Sequence, residues 1–164
     1  MRDPKAIIYS DSDGVICDFL VGAAKALGHP WKNRAEGVIL NQYEGFWENL
    51  PTMPDFHTYW SFVSRYNPHI LTAVPGGAWT FDFRQVERGK REWYRKHLPS
   101  IPQSHIHIVY REEKANYARN GQVRNILIDD HVENVQEFER AGGIGIHHVS
   151  ARVTILKLKE LGYH

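Results

Sequence analysis

The chain lacks the features that mark secreted, membrane-spanning and strongly charged proteins. Its single cysteine, Cys17, cannot form an internal disulfide, which agrees with a reducing compartment. Residues 1–5 lead into only a short apolar run, so we predict neither a signal peptide nor a transmembrane span, and we expect a cytoplasmic location. The net charge of +1 gives no overall field that would attract nucleic acid or an acidic membrane.

What is present is the alternating pattern of an α/β protein. Short apolar runs rich in β-forming residues occupy residues 6–9, 69–72, 105–110, 124–128 and 144–149. Helix-like stretches follow or separate the later runs, at residues 85–97, 114–119, 131–140 and 150–161. This alternation predicts a parallel sheet of about five strands with helices on both faces. Ligands of such sheets bind at the carboxyl ends of the strands.

The interval between the first two strands is too long for a simple crossover connection. It contains helix-like stretches at residues 19–27 and 55–65, with an aromatic run at residues 43–47 between them. We therefore predict a small helical cap over residues 18–68, inserted after the first strand. Residues 1–17 and 69–164 would form the core domain.

Polar residues stand at or just beyond the ends of four predicted strands. In chain order they are Asp11 and Asp13, Thr72, Lys114, and the pair Asp129 and Asp130. Parallel strands would bring them to one edge of the sheet. Each has an ordinary structural explanation: a strand threonine, a solvated lysine, or aspartates that cap the next helix. Their common position after successive strands favours a functional site.

The most informative of these positions is the turn from Asp11 to Gly14. Two carboxylates placed close together at the end of a buried strand repel each other, unless a cation lies between them or one shares a proton. A carboxylate nucleophile, a nearby proton donor and a bound Mg²⁺ would meet that condition. A plain surface turn is the alternative, because Asp, Ser and Gly all form turns. A calcium loop does not fit, since Val15 stands where an oxygen ligand is needed.

In this order the motifs resemble those of the haloacid-dehalogenase-like phosphohydrolases. The matching positions are residues 11–15, Thr72, Lys114 and the pair at 129–130. Within that group the chain is most similar to the deoxyribonucleotidase branch, through residues 13–19, 46–51, 90–98 and 128–130. It departs from the branch at Ser12, where an apolar residue is usual, and in the loop at residues 72–77.

The resemblance implies a Rossmann-like core and a role for each motif. Asp11 would be the nucleophile, and Asp13 would protonate the leaving group and later deprotonate water. Mg²⁺ would bind Asp11, the backbone carbonyl of Asp13 and a carboxylate of the pair Asp129 and Asp130, with Asp130 favoured as the direct ligand. Thr72 and Lys114 would hold phosphoryl oxygens. Gly14 and Ala73 are expected near the bound substrate.

The cap is expected to select the substrate. Phe46 and Trp47 could stack on a nucleobase, or they could seal the cap against the core. An alternating aromatic set, Trp79, Phe81 and Phe83, could border the pocket or simply pack. The histidines lack partners at the spacing of a zinc site, so we expect no such site.

The expected activity is a magnesium-dependent phosphomonoesterase that uses an aspartyl-phosphate intermediate and acts on (deoxy)nucleoside monophosphates. The expected partner is thus a small phosphate ester, with neither membrane nor nucleic acid bound. Two alternatives stay open. One is a phosphatase for nucleic-acid ends, against which the lack of a basic run counts. The other is a catalytically silent binding protein on the same fold.

Overall fold

The computed structural model describes residues 2–74 and 82–164. The strands in this part of the chain are β1 (Ile8–Ser10), β2 (His69–Val74), β3 (Ile106–Tyr110), β4 (Arg119–Asn120), β5 (Val123–Arg124), β6 (Ile126–Asp129) and β7 (Ile144–His147). Its α-helices are α1 (Phe19–Leu27), α2 (Gly37–Leu40), α3 (Phe56–Val63), α4 (Phe83–His97), α5 (Val132–Arg140) and α6 (Ala151–Glu160). Short 3₁₀ segments lie between several of these elements.

Five strands form one parallel sheet in the order β3-β2-β1-β6-β7. Strand β1 is central, with Tyr9 beside His69 of β2 on one side and Leu127 of β6 on the other. The chain leaves β1 toward β2 and later returns to fill the opposite side. The boundary between β1 and β6 is therefore the topological switch point, where α/β sheets form their ligand crevices.

Side chains of the central strands alternate between two apolar clusters, one on each face of the sheet. Ile8, Ile70 and Ile126 point into the larger cluster, which also contains residues of α3, α4 and α6. Their neighbours along the strands join a smaller cluster that includes Phe138 of α5; they are Tyr9, Leu71 and Leu127. Burial of both faces explains why these strands read as apolar runs. The predicted α/β fold, with helices on both faces, is confirmed.

Residues 18–68 contain helices α1, α2 and α3. Asp18 caps α1 by accepting from the backbone N–H of Val21 (3.1 Å), and the left-handed Gly28 ends that helix. Helix α3, at the end of the segment, packs on α6. The larger apolar cluster includes residues of this segment as well as residues of the sheet. The division into a core and a cap stays a prediction.

Several element boundaries shift by one to a few residues, and two predicted elements differ in kind or continuity from the structure. Residues 114–119 were predicted as a short helix, but a 3₁₀ segment covers Arg111–Tyr117 and a two-stranded hairpin, β4 and β5, follows it. The predicted strand at residues 124–128 is interrupted at Asn125. This buried side chain accepts from the N–H of Ile7 (3.0 Å) and donates to the carbonyl of Tyr117 (2.9 Å). Its amide thus anchors the hairpin region to the strand edge.

Within residues 2–74 and 82–164, no helix combines the length and the apolar character that crossing a membrane requires.

Candidate active site

The turn after β1 is built around one carbonyl and one glycine. Backbone N–H groups of three following residues donate to the carbonyl of Ser12, and the N–H of Gly14 donates to the carbonyl of Cys17 (2.8 Å). Gly14 has φ of 81°, and a Cβ at this position would lie 2.2 Å from Oδ2 of Asp130. Only glycine satisfies both conditions. The turn can therefore bring its backbone against the carboxylate that follows β6.

Asp11 is the first residue beyond β1 and is almost fully buried. Nζ of Lys114 lies 3.0 Å from its Oδ1. Burial raises the pKa of Asp11 to about 7; Lys114 opposes this shift, while the nearby Asp129 and Asp13 add to it. A positive charge placed beside Asp11 would favour its ionised, nucleophilic form.

Lys114 contacts acids from two different motifs, Asp11 after β1 and Asp129 at the end of β6. Its side chain is 3% exposed, and its Nζ also donates to Oδ2 of Asp129 (2.7 Å). Burial disfavours the charged lysine, but attraction to Asp11 and Asp129 raises its pKa. Lys114 is therefore a cation held between two acids rather than the solvated residue that a lone lysine usually is.

Asp129 and Asp130 have different surroundings. The fully buried Asp129 accepts from Lys114, from the backbone N–H of His131 (2.9 Å) and from Nδ2 of Asn134 (3.0 and 3.2 Å). Oδ1 of Asp130 is buried and has no hydrogen-bond partner among the described residues. Burial raises the pKa of Asp130 to about 6, with His131 opposing and Asp129 adding to the shift. Asp130 is thus the acid with an oxygen available for a ligand.

Three carboxylates converge at the switch point of the sheet. One oxygen from each of Asp11, Asp129 and Asp130 lies within 4.8 Å of the others. Three hard carboxylate donors that repel one another, with an unpartnered buried oxygen on Asp130, fit a hard divalent cation such as Mg²⁺. For Asp13 the sequence predicted a metal contact through the backbone carbonyl only. Its side chain has a different partner.

That partner is Lys90 on α4, a residue for which the sequence analysis gave no role. Its Nζ lies 2.5 Å from Oδ2 of Asp13 and donates to Oγ1 of Thr72 (3.1 Å). Sγ of Cys17 donates to the other oxygen of Asp13 (3.1 Å). Both oxygens of Asp13 are therefore bonded, and the predicted positions Asp13 and Thr72 meet at one lysine.

A pattern in α4 could have drawn attention to Lys90. Val86, Trp93 and Tyr94 stand four residues before, three after and four after it, and all three are buried. These spacings place Lys90 in the middle of the apolar stripe of the helix. A lysine at such a position needs a buried partner, which the sequence alone does not name.

A cavity of about 850 Å³ opens beside the carboxylates. Asp11, Asp13 and Lys114 contribute to its lining, as does Ala73. Most of the remaining walls contributed by residues 18–68 are aromatic or aliphatic, and most of the others are polar; they are Phe19, Leu20, Trp31, Arg34, Trp47, Val74, Arg111, Glu112, His131, Glu133 and Asn134. Of these walls the sequence analysis had predicted only Trp47 as a substrate contact.

The two predicted cap aromatics are both buried. Trp47 is 2% exposed and stacks on Phe19 with 5.7 Å between ring centroids. Phe46 meets Phe19 and Trp47 edge-to-face and is not among the described residues that line the cavity. Trp31, which lines it, also packs edge-to-face on Phe19. The aromatic wall is thus a packed group in which Trp31 is more accessible than Trp47.

Two of the expected pocket aromatics, Trp79 and Phe81, lie outside the described residues, as does most of the loop after β2. Phe83, the third, is the first residue of α4 and contacts Tyr110, with ring centroids 5.2 Å apart.

No family model and no curated protein matches the chain. Among solved structures, a hydrolase from Pseudomonas syringae is similar, with a TM-score of 0.47 and 13% sequence identity. The match covers 96% of this chain and 90% of that one. A likeness of this size supports no conclusion about activity.

Proposed function

We propose that the protein is a magnesium-dependent phosphomonoesterase that works through an aspartyl-phosphate and acts on (deoxy)nucleoside monophosphates. The observation that carries this proposal is the link from Asp11 through Lys114 to Asp129, beside the free oxygen of Asp130. A nucleophilic carboxylate and a fixed cation that both line a cavity, with an unpartnered oxygen donor beside them, suit phosphoryl transfer. A surface turn would not need a buried lysine.

Asp11 would attack phosphorus with a carboxylate oxygen, and the bond from phosphorus to the leaving oxygen would break. Asp13, two residues further along the turn and also at the cavity, would give its proton to that oxygen. In the second step Asp13 would take a proton from water, whose oxygen attacks phosphorus and releases Asp11. Each step then replaces one bond to phosphorus with another.

Lys114 would offset the charge that develops on the phosphoryl oxygens, since its ammonium already lies 3.0 Å from Oδ1 of Asp11. Thr72 is kept as a second group for these oxygens. Its hydroxyl oxygen accepts from Lys90, which leaves the hydroxyl proton free to donate. Mg²⁺ would be held by Asp11 and Asp130, with Asp129 nearby, and would supply charge neutralisation and orientation of the phosphate.

The walls of the cavity support the proposed substrate class. A volume of about 850 Å³ has room for a nucleotide, and the aromatic wall around Phe19, Trp31 and Trp47 offers faces on which a base can stack. Arg34 and Arg111 also line the cavity and would favour an anionic substrate. These features support a nucleotide over a small sugar phosphate.

The first test replaces the nucleophile. Asp11→Asn removes the nucleophilic carboxylate, so we expect no aspartyl-phosphate and a loss of turnover on nucleoside monophosphates with Mg²⁺. Asp18→Asn is the matched control, because it stands in the same segment outside the acid cluster and Asn caps α1 as well as Asp does. Mass spectrometry of rapidly quenched enzyme should detect the phosphate adduct in the wild-type chain and in Asp18→Asn, but not in Asp11→Asn.

A panel of nucleoside monophosphates, end-phosphorylated oligonucleotides and an aryl phosphate separates the alternatives. A preference for the oligonucleotides would mean that the substrate is a nucleic-acid end and not a mononucleotide, while the aspartyl-phosphate mechanism would still apply. Near wild-type turnover by the Asp11→Asn variant would refute the assignment of the nucleophile. No turnover of any phosphate by the wild-type chain would leave the silent binding protein as the better description.

A further inference from the structure

The lysine on α4 has an unusual set of contacts for a residue to which the sequence analysis assigned no role. Lys90 is 2% exposed, and its Nζ contacts Asp13 (2.5 Å) and Thr72 (3.1 Å). The same ammonium lies 5.2 Å from the centre of the Trp47 ring, on its face. One cation therefore contacts the expected acid-base residue, a residue assigned to the phosphoryl group, and the wall of the cavity.

Burying this ammonium is costly, and its contacts offset the cost. Burial opposes the charged form, but attraction to Asp13 raises the pKa of Lys90, so the lysine stays protonated. The adjacent Gly89 lets α4 come close, because a Cβ there would lie 2.5 Å from Cβ of Trp47. Such a pair gains little stability over apolar residues of similar size. Its place beside the site suggests a role in geometry.

Lys90 is in position to hold another residue and not the substrate. Asp13 lines the cavity, whereas Lys90 is not among the described residues that do so. The side chain of Asp13 is 27% exposed and that of Lys90 is 3% exposed, so the lysine lies behind the carboxylate as seen from the cavity. Replacing Lys90 would leave Asp13 present but free to take other rotamers.

We propose that Lys90 is a positioning residue that fixes the carboxyl group of Asp13 for proton transfer and aligns it with Thr72. This inference rests on the proposed phosphatase function. A carboxyl group held at Oδ2 by Lys90 and at Oδ1 by Cys17 has a defined orientation. Proton transfer depends on that orientation, because donor and acceptor must come within hydrogen-bond distance.

The test compares phosphate esters with good and poor leaving groups. An aryl phosphate with an acidic phenol needs little protonation, whereas an alkyl phosphate depends on the proton from Asp13. Lys90→Met should therefore lower kcat/KM, which covers the steps up to formation of the aspartyl-phosphate, by about 100-fold or more for the alkyl ester, the size of a general-acid contribution, and far less for the aryl ester. Lys90→Arg, which keeps charge and donors, should recover part of the loss. Lys96→Met, on the exposed face of the same helix, should behave as wild type.

A double-mutant cycle decides whether Lys90 acts through Asp13. In an Asp13→Asn background, Lys90→Met should cause little further loss on the alkyl ester, because the group it positions is gone. Equal losses of kcat/KM on both esters, or full additivity with Asp13→Asn, would overturn the proposal. If Lys90→Met does not fold, Lys90→Arg and Lys90→Gln give the same comparison. An inactive wild-type chain would contradict the proposed function instead, so the two failures are distinguishable.

Discussion

At the scale of single residues, the site is a balance between carboxylates that repel one another and lysines that separate them. Lys114 lies between Asp11 and Asp129, and Lys90 holds Asp13. Asp130 has a buried oxygen with no hydrogen-bond partner in the described chain. The two lysines leave the acids close together yet assign each a different environment. Two acids of one turn can then perform different tasks.

A second group of titratable residues lies on the sheet away from these acids. Nδ1 of His69 and Nε2 of His107 are 2.9 Å apart, and the ring of His105 stacks on that of His69 at 3.8 Å. Tyr9 packs edge-to-face on two of these rings. Burial, with His105 and His107, lowers the pKa of His69 from 6.5 to about 4. Protonation here would place positive charge among rings that pack as neutral groups.

We expect this cluster to make folding sensitive to acid. Between about pH 6.5 and about pH 4 the unfolded chain binds more protons at His69 than the folded chain, so the free energy of unfolding falls as pH falls. His69→Gln should weaken this dependence, as measured by urea unfolding across that range. The exposed His57→Gln serves as the control. An unchanged pH dependence in His69→Gln would show that other groups control acid stability.

At the scale of elements, helices α1 and α4 meet the loops of residues 18–68 around one aromatic group. Phe19 of α1 contacts Trp31, Phe46 and Trp47. Trp31 and Trp47 both line the cavity, but Trp47 is nearly fully buried and Trp31 is half-buried. The two tryptophans should therefore respond differently to substitution.

Trp31→Ala should lower kcat/KM for nucleotides more than for a small aryl phosphate, because base stacking contributes about 1–3 kcal/mol. Trp47→Ala should also weaken nucleotide use if a base contacts it, but its larger effect should be on stability, about 3–5 kcal/mol for a buried aromatic side chain. Steady-state kinetics on both substrates, together with urea unfolding, separate the two effects. Equal losses on both substrates in Trp31→Ala would mean that the base binds elsewhere.

At the scale of the whole molecule, the sheet brings three acids to its switch point, and this placement costs stability without a cation. The pKa values of Asp11 and Asp130 are raised to about 7 and about 6. Their folded forms bind more protons than their unfolded forms, so their contribution to the free energy of unfolding is greatest in acid and is lost as pH rises through these values. A bound divalent cation would restore it.

We therefore expect Mg²⁺ to raise the melting temperature, and to raise it more near about pH 7.5 than near about pH 5.5, where protons compete for the carboxylates. At a concentration 100 times the dissociation constant the gain would be about 2.7 kcal/mol. Differential scanning calorimetry would measure it without reference to turnover. Asp130→Asn should abolish most of the shift, whereas Asp18→Asn should not. No Mg²⁺-dependent shift at either pH would contradict the metal assignment.

Local sequence determined the positions from which the acids act. Asp11, Asp13 and Gly14 follow a short β-forming run, and the pair at 129–130 ends another. A strand followed by a tight turn is specified by adjacent residues, and parallel pairing then brings such ends to one edge. Helices α1 and α6 likewise each begin after a single capping residue, Asp18 and Ser150 respectively. Both side chains make the capping hydrogen bond in the structure.

Tertiary structure alone decided which side chains meet. Lys90 is 77 residues from Asp13 in the chain, and Trp31 reaches the cavity from a loop whose spacing gave no indication of it. The region around Lys114 became a 3₁₀ segment because packing against α5 outweighed its helical pattern. Contacts between distant segments depend on how whole layers pack, and local propensity carries no information about that packing. The position of Lys90 on an apolar stripe could predict that it is buried, but only the packed fold identifies Asp13 as its partner.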